Sequence, residues 1–472
     1  MHRIRSEHDV GALAQSLQNG GALPRSCESD PSFDGSPSSD LTGATRSGLG
    51  LVPGTALHLA IRAREPPQHE GWTTVTRDAD FIDELMELYF SWSHPFSTLF
   101  SQEYFVHDFR TGDTQFCSSI LVNAVLSYGC LFSHRPEARK VASDASSAGE
   151  HFYDEFRRLL FEDDNASSLT TTQALGIISL REASVGKESS GFQYVGRCLR
   201  MAVELGLHLN FSTTLSEAEV KARSVTFWGC FTLENIWSLC IGRVVQLPRH
   251  AIEIEKPGRV ADGDAQPWRP YYDESGAGDS RAGDGPPANE FAFQLSHLSE
   301  IVNDLVHMFF APKDRLTARK VGECYAKFKA WSDRLPTSFQ LGSRPSAHLI
   351  ALHMYYHLCL LHLFRPLVQF ELKGMMETPR DICRRAASSI TALFDSHRSL
   401  YGLRHINLFL THIQLSASIV HLMFQPTDPE VARLVQGFRD LQDMSRCHLF
   451  AARGLEILHG ISAKWGIALP RD

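Results

Sequence analysis

Apolar residues recur along most of this chain at the spacing of amphipathic helices. Phe81, Leu85, Leu88 and Trp92 follow one another at i, i+4, i+7 and i+11, which places them on one helical face. Pro95 then ends the helix. The same pattern predicts further helices at residues 117–133, 146–161, 170–184, 189–207, 216–241, 291–310, 315–335, 346–364, 377–399, 403–424, 428–437 and 440–465. Strand-like alternation is nearly absent, so the pattern predicts an all-α fold, a large multi-helix bundle of packed helical hairpins.

Two stretches lack this periodicity and divide the chain. Residues 1–75 are rich in Gly, Ser, Pro and Asp, and such a composition cannot bury enough apolar surface to offset the entropy of ordering. We expect them to form a disordered leader. Residues 256–290 contain many prolines, glycines and aspartates, which indicates a loop. The helical region therefore divides into two continuous halves, 76–255 and 291–472.

Composition narrows the function classes. Hydrophobic residues make up 43% of the 472 residues and charged residues 21%, which is typical of a globular protein. The formal net charge is −8, and no run of five or more Lys or Arg occurs. Because non-specific DNA affinity comes mainly from cationic side chains that neutralise phosphates, we expect this chain not to grip duplex DNA by itself.

The cysteines and the apolar segments favour a reduced, intracellular setting. The ten cysteines are scattered, without a C-x-x-C pair, and the closest two are Cys230 and Cys240. The chain begins without the apolar core of a secretory signal. The most apolar segment, residues 349–370, is interrupted by three histidines and an arginine, which argues against a membrane span.

One pair of histidines has the spacing of metal ligands. His353 and His357 lie at i and i+4 of a predicted helix, where two imidazoles can face one ion. The glutamate of a zinc protease is missing between them, and His362 follows at a spacing that fits neither i+4 nor i+7. We therefore interpret them as packed or capping histidines, and we predict neither a metal nor a cofactor in this chain.

No nucleophile, base and orienting acid recur in a known catalytic pattern, which predicts a protein that is not an enzyme.

Four residues are candidates for a structural or effector-responsive role. Trp228 and Phe231 lie on an aromatic helix; such a stripe is more often core than a ligand cage. Arg243 follows Gly242 just after that helix and could cap its carbonyls or pair with a carboxylate such as Glu234 or Glu253. Arg365 precedes a proline at another helix end, and we expect it to bind a carbonyl or an acidic side chain across the bundle.

Blocks of sequence in a fixed order carry a family resemblance. Residues 224–234, with the following Gly-Arg and Leu-Pro pairs, and residues 191–208 resemble the middle homology region of fungal zinc-cluster transcription factors. A His-Pro turn after an aromatic helix (residues 85–96) and a Phe-Arg-Pro helix end (residues 355–367) are similar to other blocks of that region. Further similar blocks lie at residues 105–109, 117–129, 383–393 and 409–422, with Trp465 closing the series.

The resemblance also says what to expect beyond this region. Family members carry an upstream DNA-binding module in which six closely spaced cysteines hold two zinc ions. Here Cys27 is the only cysteine before Cys117, so no residue inherits a zinc-binding role. Residues 3–10 resemble the segment that follows that module in nitrate-regulator-like members. The resemblance therefore implies that DNA binding and zinc belong to a module outside this chain.

The resulting hypothesis is the regulatory and interaction region of a nuclear transcription regulator for a metabolic or secondary-metabolite gene set. Promoter DNA would be reached through the zinc-cluster module or a partner, and the expected partners are other regulators, coactivators and a small-molecule effector. The alternative is a helical small-molecule sensor or protein-binding module without a transcriptional role, resident in the cytoplasm. A homodimer, the sign of regulation, and the choice between a truncated gene product and a genuine short regulator stay open.

Overall fold

The computed structural model describes residues 71–163, 166–210, 215–258, 267–273, 280–311, 315–424 and 428–466. Most of the predicted leader therefore lies outside the described residues. Its last residues do not: Trp72 donates a hydrogen bond from Nε1 to the carbonyl oxygen of Phe109 over 3.0 Å, and Thr73 donates to Asn123 over 2.8 Å. The packed body thus includes the chain from about residue 71.

Fourteen α-helices form the described body, and no residue in it belongs to a strand. In chain order they are α1 (Ala79–Trp92), α2 (Gln102–Thr111), α3 (Ser119–Gly129), α4 (Glu150–Glu162), α5 (Leu169–Ser184), α6 (Glu188–Glu204), α7 (Glu217–Ile241), α8 (Ala288–Phe310), α9 (Ala318–Asp333), α10 (Ala347–Phe364), α11 (Pro379–Tyr401), α12 (Leu408–Met423), α13 (Asp428–Met444) and α14 (Leu449–Trp465). The prediction of an all-α fold is confirmed.

Helix α5 forms the centre of the first half. Every residue from Thr170 to Ser184 is buried, because α3, α6 and α7 pack against it from one half and α12 and α14 reach it from the other. The helix begins at Ser168, whose hydroxyl accepts a hydrogen bond from the Thr171 amide over 3.0 Å. Its buried polar residues include Arg181 and Glu182, an ion pair 2.6 Å long that is shielded from solvent.

The second half is organised around α10, which packs on α8, α9, α11 and α12. Ala347–Leu367 is long and apolar enough to cross a membrane by length and composition, but 78% of its most apolar window is buried inside the protein. A core helix of a globular fold has these same properties. This burial is consistent with the sequence argument against a membrane span.

Two differences from the predicted helices have clear local causes. Helix α2 was not predicted as a helix, although Ser101 caps its start and Gly112, with a φ of 78°, ends it. The predicted break between the last two helices fell just after Gly437, whereas the chain breaks at residues 445–448. Gly437 lies inside α13. An added Cβ at this position would lie 2.4 Å from Oγ of Ser418 on α12. That glycine permits a close helix contact.

Gly229 provides a test of the packing of α7. A Cβ at this position would lie 2.2 Å from the carbonyl oxygen of Thr98, a backbone atom that cannot move without disturbing its loop. We expect Gly229→Ala to lower the free energy of unfolding by about 2–3 kcal/mol, measured by urea denaturation.

The matched control is Gly322→Ala in α9, where nothing lies within 4 Å of the added Cβ. Since alanine favours a helix, this variant should be as stable as the wild type or about 0.5–1 kcal/mol more stable. Equal stability of the two variants would contradict the packing described for α7.

Candidate functional site: an aromatic helix and its return segment

The candidate site is built from α7 and from the segment that follows it, residues 242–258, which we call the return segment. Gly242 ends α7 with a φ of 67°, a left-handed conformation that glycine adopts without strain. The chain then runs back along α7, and Glu253 and Ile254 donate amide hydrogen bonds to the carbonyl oxygen of His208 over 2.9 and 3.1 Å. The return segment therefore contacts the end of the sequence block at residues 191–208.

Trp228 and Phe231 lie inside this arrangement. Trp228 is 3% exposed, and its Nε1 donates a hydrogen bond to the carbonyl oxygen of Glu255 in the return segment over 3.0 Å. Its ring meets that of Phe231 edge to face, with the centroids 5.6 Å apart. Lys256 places Nζ 5.1 Å from the Trp228 ring centroid and also binds Glu300 of α8 over 2.8 Å. The indole thus fastens the end of the return segment to α7.

A small cavity beside Trp228 shows what this site can hold. Its volume is about 30 Å³, and Phe96, Thr232, Phe291 and Leu295 contribute to its walls. A cavity of this size holds about one or two water molecules, whereas small-molecule sites usually span hundreds of cubic ångströms. In the conformation described, Trp228 and Phe231 are buried in the core.

Buried asparagines hold the middle of the return segment. Asn303 of α8 is fully buried, and its amide nitrogen donates to Oδ1 of Asn235 and to the carbonyl oxygen of Leu247, both over 3.0 Å. Its Oδ1 accepts the amide of Arg249 over 3.0 Å. One side chain therefore joins α7, α8 and the return segment. The sequence signal for this role is weak: two asparagines in otherwise apolar helices.

Glu234 holds the start of the return segment. Its Oε1 accepts the amide of Gln246 over 3.0 Å and the hydroxyl of Ser238 over 3.2 Å. The carboxyl is 1% exposed, and this burial raises its pKa from 4.5 to about 7, although the two hydrogen bonds act in the opposite direction. Among the described residues, its second oxygen has no hydrogen-bond partner.

The two candidate arginines take no part in the contacts described for Trp228 and Phe231. Arg243 is exposed at the end of α7, and Glu234, one of its two predicted partners, binds Gln246 and Ser238 instead. Arg365 follows α10 and is half-buried. Within the described ranges no hydrogen bond or ion pair of either side chain is found, so the structure does not bring the four candidates into one site.

The histidines with metal-like spacing are packed inside the bundle. His353 shares a hydrogen bond of 2.9 Å between its Nε2 and the carbonyl oxygen of Phe339. Burial lowers the pKa of His357 to about 4. The hydrogen bond of His353 is the kind of structural role that the sequence pattern favoured.

A different trio, His134, Asp273 and His405, brings metal-type ligand atoms within 4.8 Å of one another. Sequence spacing gives no sign of it, since the residues come from three distant loops. Nδ1 of His134 lies 2.8 Å from Oδ1 of Asp273, and Nε2 of His405 lies 3.0 Å from the carbonyl oxygen of Phe132. A divalent cation could be held here only if His405 gave up that carbonyl. As described, the trio fastens the loop carrying Asp273 to the body.

The hydrogen bonds around Asp273 keep it ionised. Burial by itself raises the pKa of this carboxyl, but the backbone and side-chain hydrogen bonds from His134 and the hydroxyl of Ser133 lower it further than burial raises it. The net pKa is therefore below its usual range, and Asp273 stays a carboxylate that can accept those hydrogen bonds.

Comparisons with known proteins identify the family to which this chain is similar. The sequence profile of the fungal specific transcription factor domain matches residues 86–335. The chain is 35% identical to nitrogen assimilation transcription factor nirA of Emericella nidulans over 91% of its own length and 50% of that protein. It is 34% identical to nitrogen assimilation transcription factor nit-4 of Neurospora crassa over 85% of its length and 38% of that protein.

A more distant relative is the notoamide biosynthesis transcriptional activator notL' of Aspergillus versicolor, 25% identical over 70% of this chain and 53% of that protein. The chain thus spans about half the length of these relatives, or less. The matched profile runs through the return segment and ends at the close of α9.

Titration of Glu234 gives a test of its burial. Because its pKa is higher in the folded protein than the ordinary 4.5, the folded state binds the proton more tightly than the unfolded chain does. The stability of the wild type should therefore fall as the pH rises from about 4.5 to about 7. Glu234→Gln keeps an acceptor for Gln246 without titrating, so above pH 7 we expect it to be more stable than the wild type, by on the order of 3 kcal/mol.

The measurement is urea denaturation across pH 4.5–8, with Glu253→Gln as the control because that carboxylate is exposed in the same segment. The control should keep the wild-type pH profile. If Glu234→Gln also keeps it, the carboxyl of Glu234 is not buried as described.

Loss of the Asn303 amide tests the middle of the return segment. We expect Asn303→Ala to lower the free energy of unfolding by about 2–4 kcal/mol, because the variant leaves the buried carbonyl of Leu247 and the half-buried amide of Arg249 without this partner. Lys327→Ala, which removes a half-exposed ion pair with Asp304, is the neighbouring control and should cost about 0–1 kcal/mol. Equal effects in thermal or urea unfolding would rule out the joining role of Asn303.

Proposed function

This chain belongs to the fungal specific transcription factor domain family, and we propose that it is the regulatory and interaction region of a transcription regulator of metabolic genes. The observation that carries the proposal is the match of that family profile from within α1 to α9, including the return segment. Two relatives are named for nitrogen assimilation and one for the biosynthesis of a natural product. The regulated genes are therefore metabolic ones, and the protein acts in the nucleus.

The division of labour within the proposal follows from charge and cysteine spacing. A net charge of −8, without a run of five or more Lys or Arg, disfavours non-specific binding to the phosphates of DNA. Its cysteines are too widely spaced for the zinc-cluster pattern. DNA contact is then the task of a zinc-cluster module elsewhere in the whole protein, or of a partner, and the helical body has a regulatory and protein-binding role instead of an enzymatic one.

The physical form of that role is a helical body with two packing states that an effector or a partner regulator favours differently. Trp228, Phe231, Arg243 and Arg365 are the positions that we propose to respond. The first two contact the return segment or its support, and Arg243 lies exposed where that segment begins. Arg243 is therefore available to a partner protein without any rearrangement of the core.

A fusion experiment tests the proposal. Fused to an unrelated DNA-binding module whose site lies upstream of a reporter gene, the chain should raise or lower transcription relative to the module alone. The purified chain without the module should give no salt-sensitive shift of duplex DNA. An inactive fusion that still occupies its site would contradict the regulatory role, and a salt-sensitive shift by the chain alone would contradict the division of labour.

A further inference from the structure

His134, Asp273 and His405, the Asp273 trio, come from three separate parts of the helical region. His134 follows α3 in the first half, Asp273 lies in the loop between the halves, and His405 lies between α11 and α12 in the second half. Nδ1 of His134 lies 2.8 Å from Oδ1 of Asp273, and Nε2 of His405 lies 4.0 Å from the same oxygen. Two imidazoles and a carboxylate therefore converge on one point.

The separations of these three atoms are close to those of zinc ligands. Zinc in proteins is usually tetrahedral, with bonds of about 2.0–2.2 Å to nitrogen and oxygen, so that its ligand atoms lie about 3.3–3.6 Å apart. The two distances to Oδ1 of Asp273 each differ from that range by about 0.5 Å. The two ring nitrogens lie within 4.8 Å of each other. Small side-chain movements would therefore bring all three atoms to bonding distance of one ion.

Hydrogen bonds to its other oxygen orient the carboxylate of Asp273. Oδ2 accepts the backbone amide of His134 over 2.6 Å and the hydroxyl of Ser133 over 3.1 Å. The oxygen that lies closest to the two imidazoles is Oδ1. Metal-binding carboxylates are commonly held in this way, by hydrogen bonds from groups that do not themselves bind the ion.

Trp92 of α1 helps to place two of the three ligands. Its Nε1 donates a hydrogen bond to the carbonyl oxygen of Tyr271 over 2.7 Å, two residues before Asp273 in the same loop. Its ring stacks on that of His405, with the centroids 5.3 Å apart and the planes 24° from parallel. These contacts do not involve the three ligand atoms, so they hold the ligands near one another without a metal. Such preorganisation is what a metal site requires.

The trio is open to solvent on one side only. The side chain of His134 is 30% exposed, whereas those of Asp273 and His405 are 1% and 4% exposed. An ion, and the water molecule that completes its tetrahedron, would therefore enter beside His134. Binding replaces the contact of His405 with the carbonyl oxygen of Phe132 by a bond to the ion. Each imidazole then carries its proton on its other ring nitrogen.

The charged groups around the trio nearly cancel. Glu84 accepts the hydroxyl of Ser133 over 3.3 Å, and Arg135 lies 3.5 Å from the same carboxylate. Arg404 donates to the carbonyl oxygen of Ser133 over 3.3 Å. With Asp273 these groups give two negative and two positive charges. Affinity for a cation must therefore come from the ligand bonds themselves and not from a general acidic surface, which disfavours magnesium and calcium.

From these contacts we infer that the Asp273 trio is a zinc-binding site, with Nδ1 of His134, Oδ1 of Asp273 and Nε2 of His405 as ligands. Two imidazoles and one carboxylate suit zinc better than they suit the harder cations. A bound ion joins both halves of the helical region to the loop between them. The inference departs from the sequence-based prediction of no metal in this chain, since sequence spacing does not connect these residues. It goes beyond the proposed function and does not need it.

Zinc titration of the purified chain, stripped of metal with EDTA, tests the site. A chromophoric chelator of known affinity competes for the zinc at about pH 7, where the ligands are deprotonated. We expect one ion per chain to bind with a Kd below about 10 μM. Magnesium in millimolar excess should not displace it, and displacement would contradict a site built on imidazoles.

His405→Gln and His134→Asn remove one ligand each. In both variants the side-chain amide nitrogen can take over the present hydrogen bond of the ring nitrogen, to Phe132 and Asp273 respectively, but an amide binds zinc poorly. Loss of a hydrogen bond to a ligand already weakens metal binding by about 10–100-fold. We therefore expect at least about 100-fold weaker binding in both, and about tenfold weaker binding in Ser133→Ala.

The matched control is His353→Gln, because Nε2 of His353 also contacts a backbone carbonyl oxygen, that of Phe339, over 2.9 Å. This control should bind zinc as the wild type does. The inference is overturned if zinc does not bind saturably, or if His405→Gln binds as tightly as the wild type. Loss of binding in His353→Gln alone would place the ion at His353 and His357 and would also overturn it.

Thermal unfolding separates metal binding from folding. In EDTA the midpoint of His405→Gln should be close to that of the wild type, because the bond to Phe132 is kept. Zinc should raise the midpoint of the wild type but not that of His405→Gln or His134→Asn. If His405→Gln folds poorly, the half-exposed His134→Asn decides the question. An equal rise with zinc in the wild type and His134→Asn would count against the site.

Discussion

Helix α5 is buried on every side, and each polar side chain that it carries must therefore find its partner inside the protein. Arg181 binds Glu182 and the carbonyl oxygen of Ala148, and its guanidinium carbon lies 4.6 Å from the centroid of the Tyr153 ring, while its Nε has no partner among the described residues. Gln173 donates to Thr226 over 2.8 Å and so links α5 to α7. Apolar burial supplies most of the stability but has no direction, whereas these hydrogen bonds fix how the helices are placed along one another.

The same constraint extends outward from α5 to the return segment. Beyond Thr226, α7 carries Glu234 and Asn235, and both bind across to residues 246–249 directly or through Asn303. The segment has no regular secondary structure over most of its length, yet it is tied to two helices by buried polar groups. A change in the packing of α7 would therefore disturb this segment too.

Helical periodicity predicted most of the fold because the elements are long and amphipathic. The stripe from Phe81 to Trp92 became α1 with those residues buried. The errors arise where tertiary contacts outweigh the local pattern. Gly437 looked like a helix end but serves close packing, and the chain breaks where His448 binds the carbonyl oxygen of Ile406 over 2.9 Å. No local signal marks that contact, since its partner lies more than forty residues away.

The candidate site was less predictable than the fold for a physical reason. Burial of Trp228 follows from its helix, but the partners of a buried polar group depend on where the chain returns. The asparagines and the Asp273 trio join segments far apart in sequence. A single sequence therefore identified Arg365 as notable and could not show that its guanidinium lacks an acceptor among the described residues.

Hydrogen–deuterium exchange of the return segment tests the central claim, that hydrogen bonds to the buried Glu234 and Asn303 and to the carbonyl oxygen of His208 hold this segment to the helices. The amides of Gln246, Arg249 and Ile254 are bound to Glu234, Asn303 and His208. We predict that they exchange as slowly as the amides in the middle of α5, through global unfolding. Exchange within minutes, while α5 stays protected, would show that the segment opens independently and would contradict the account.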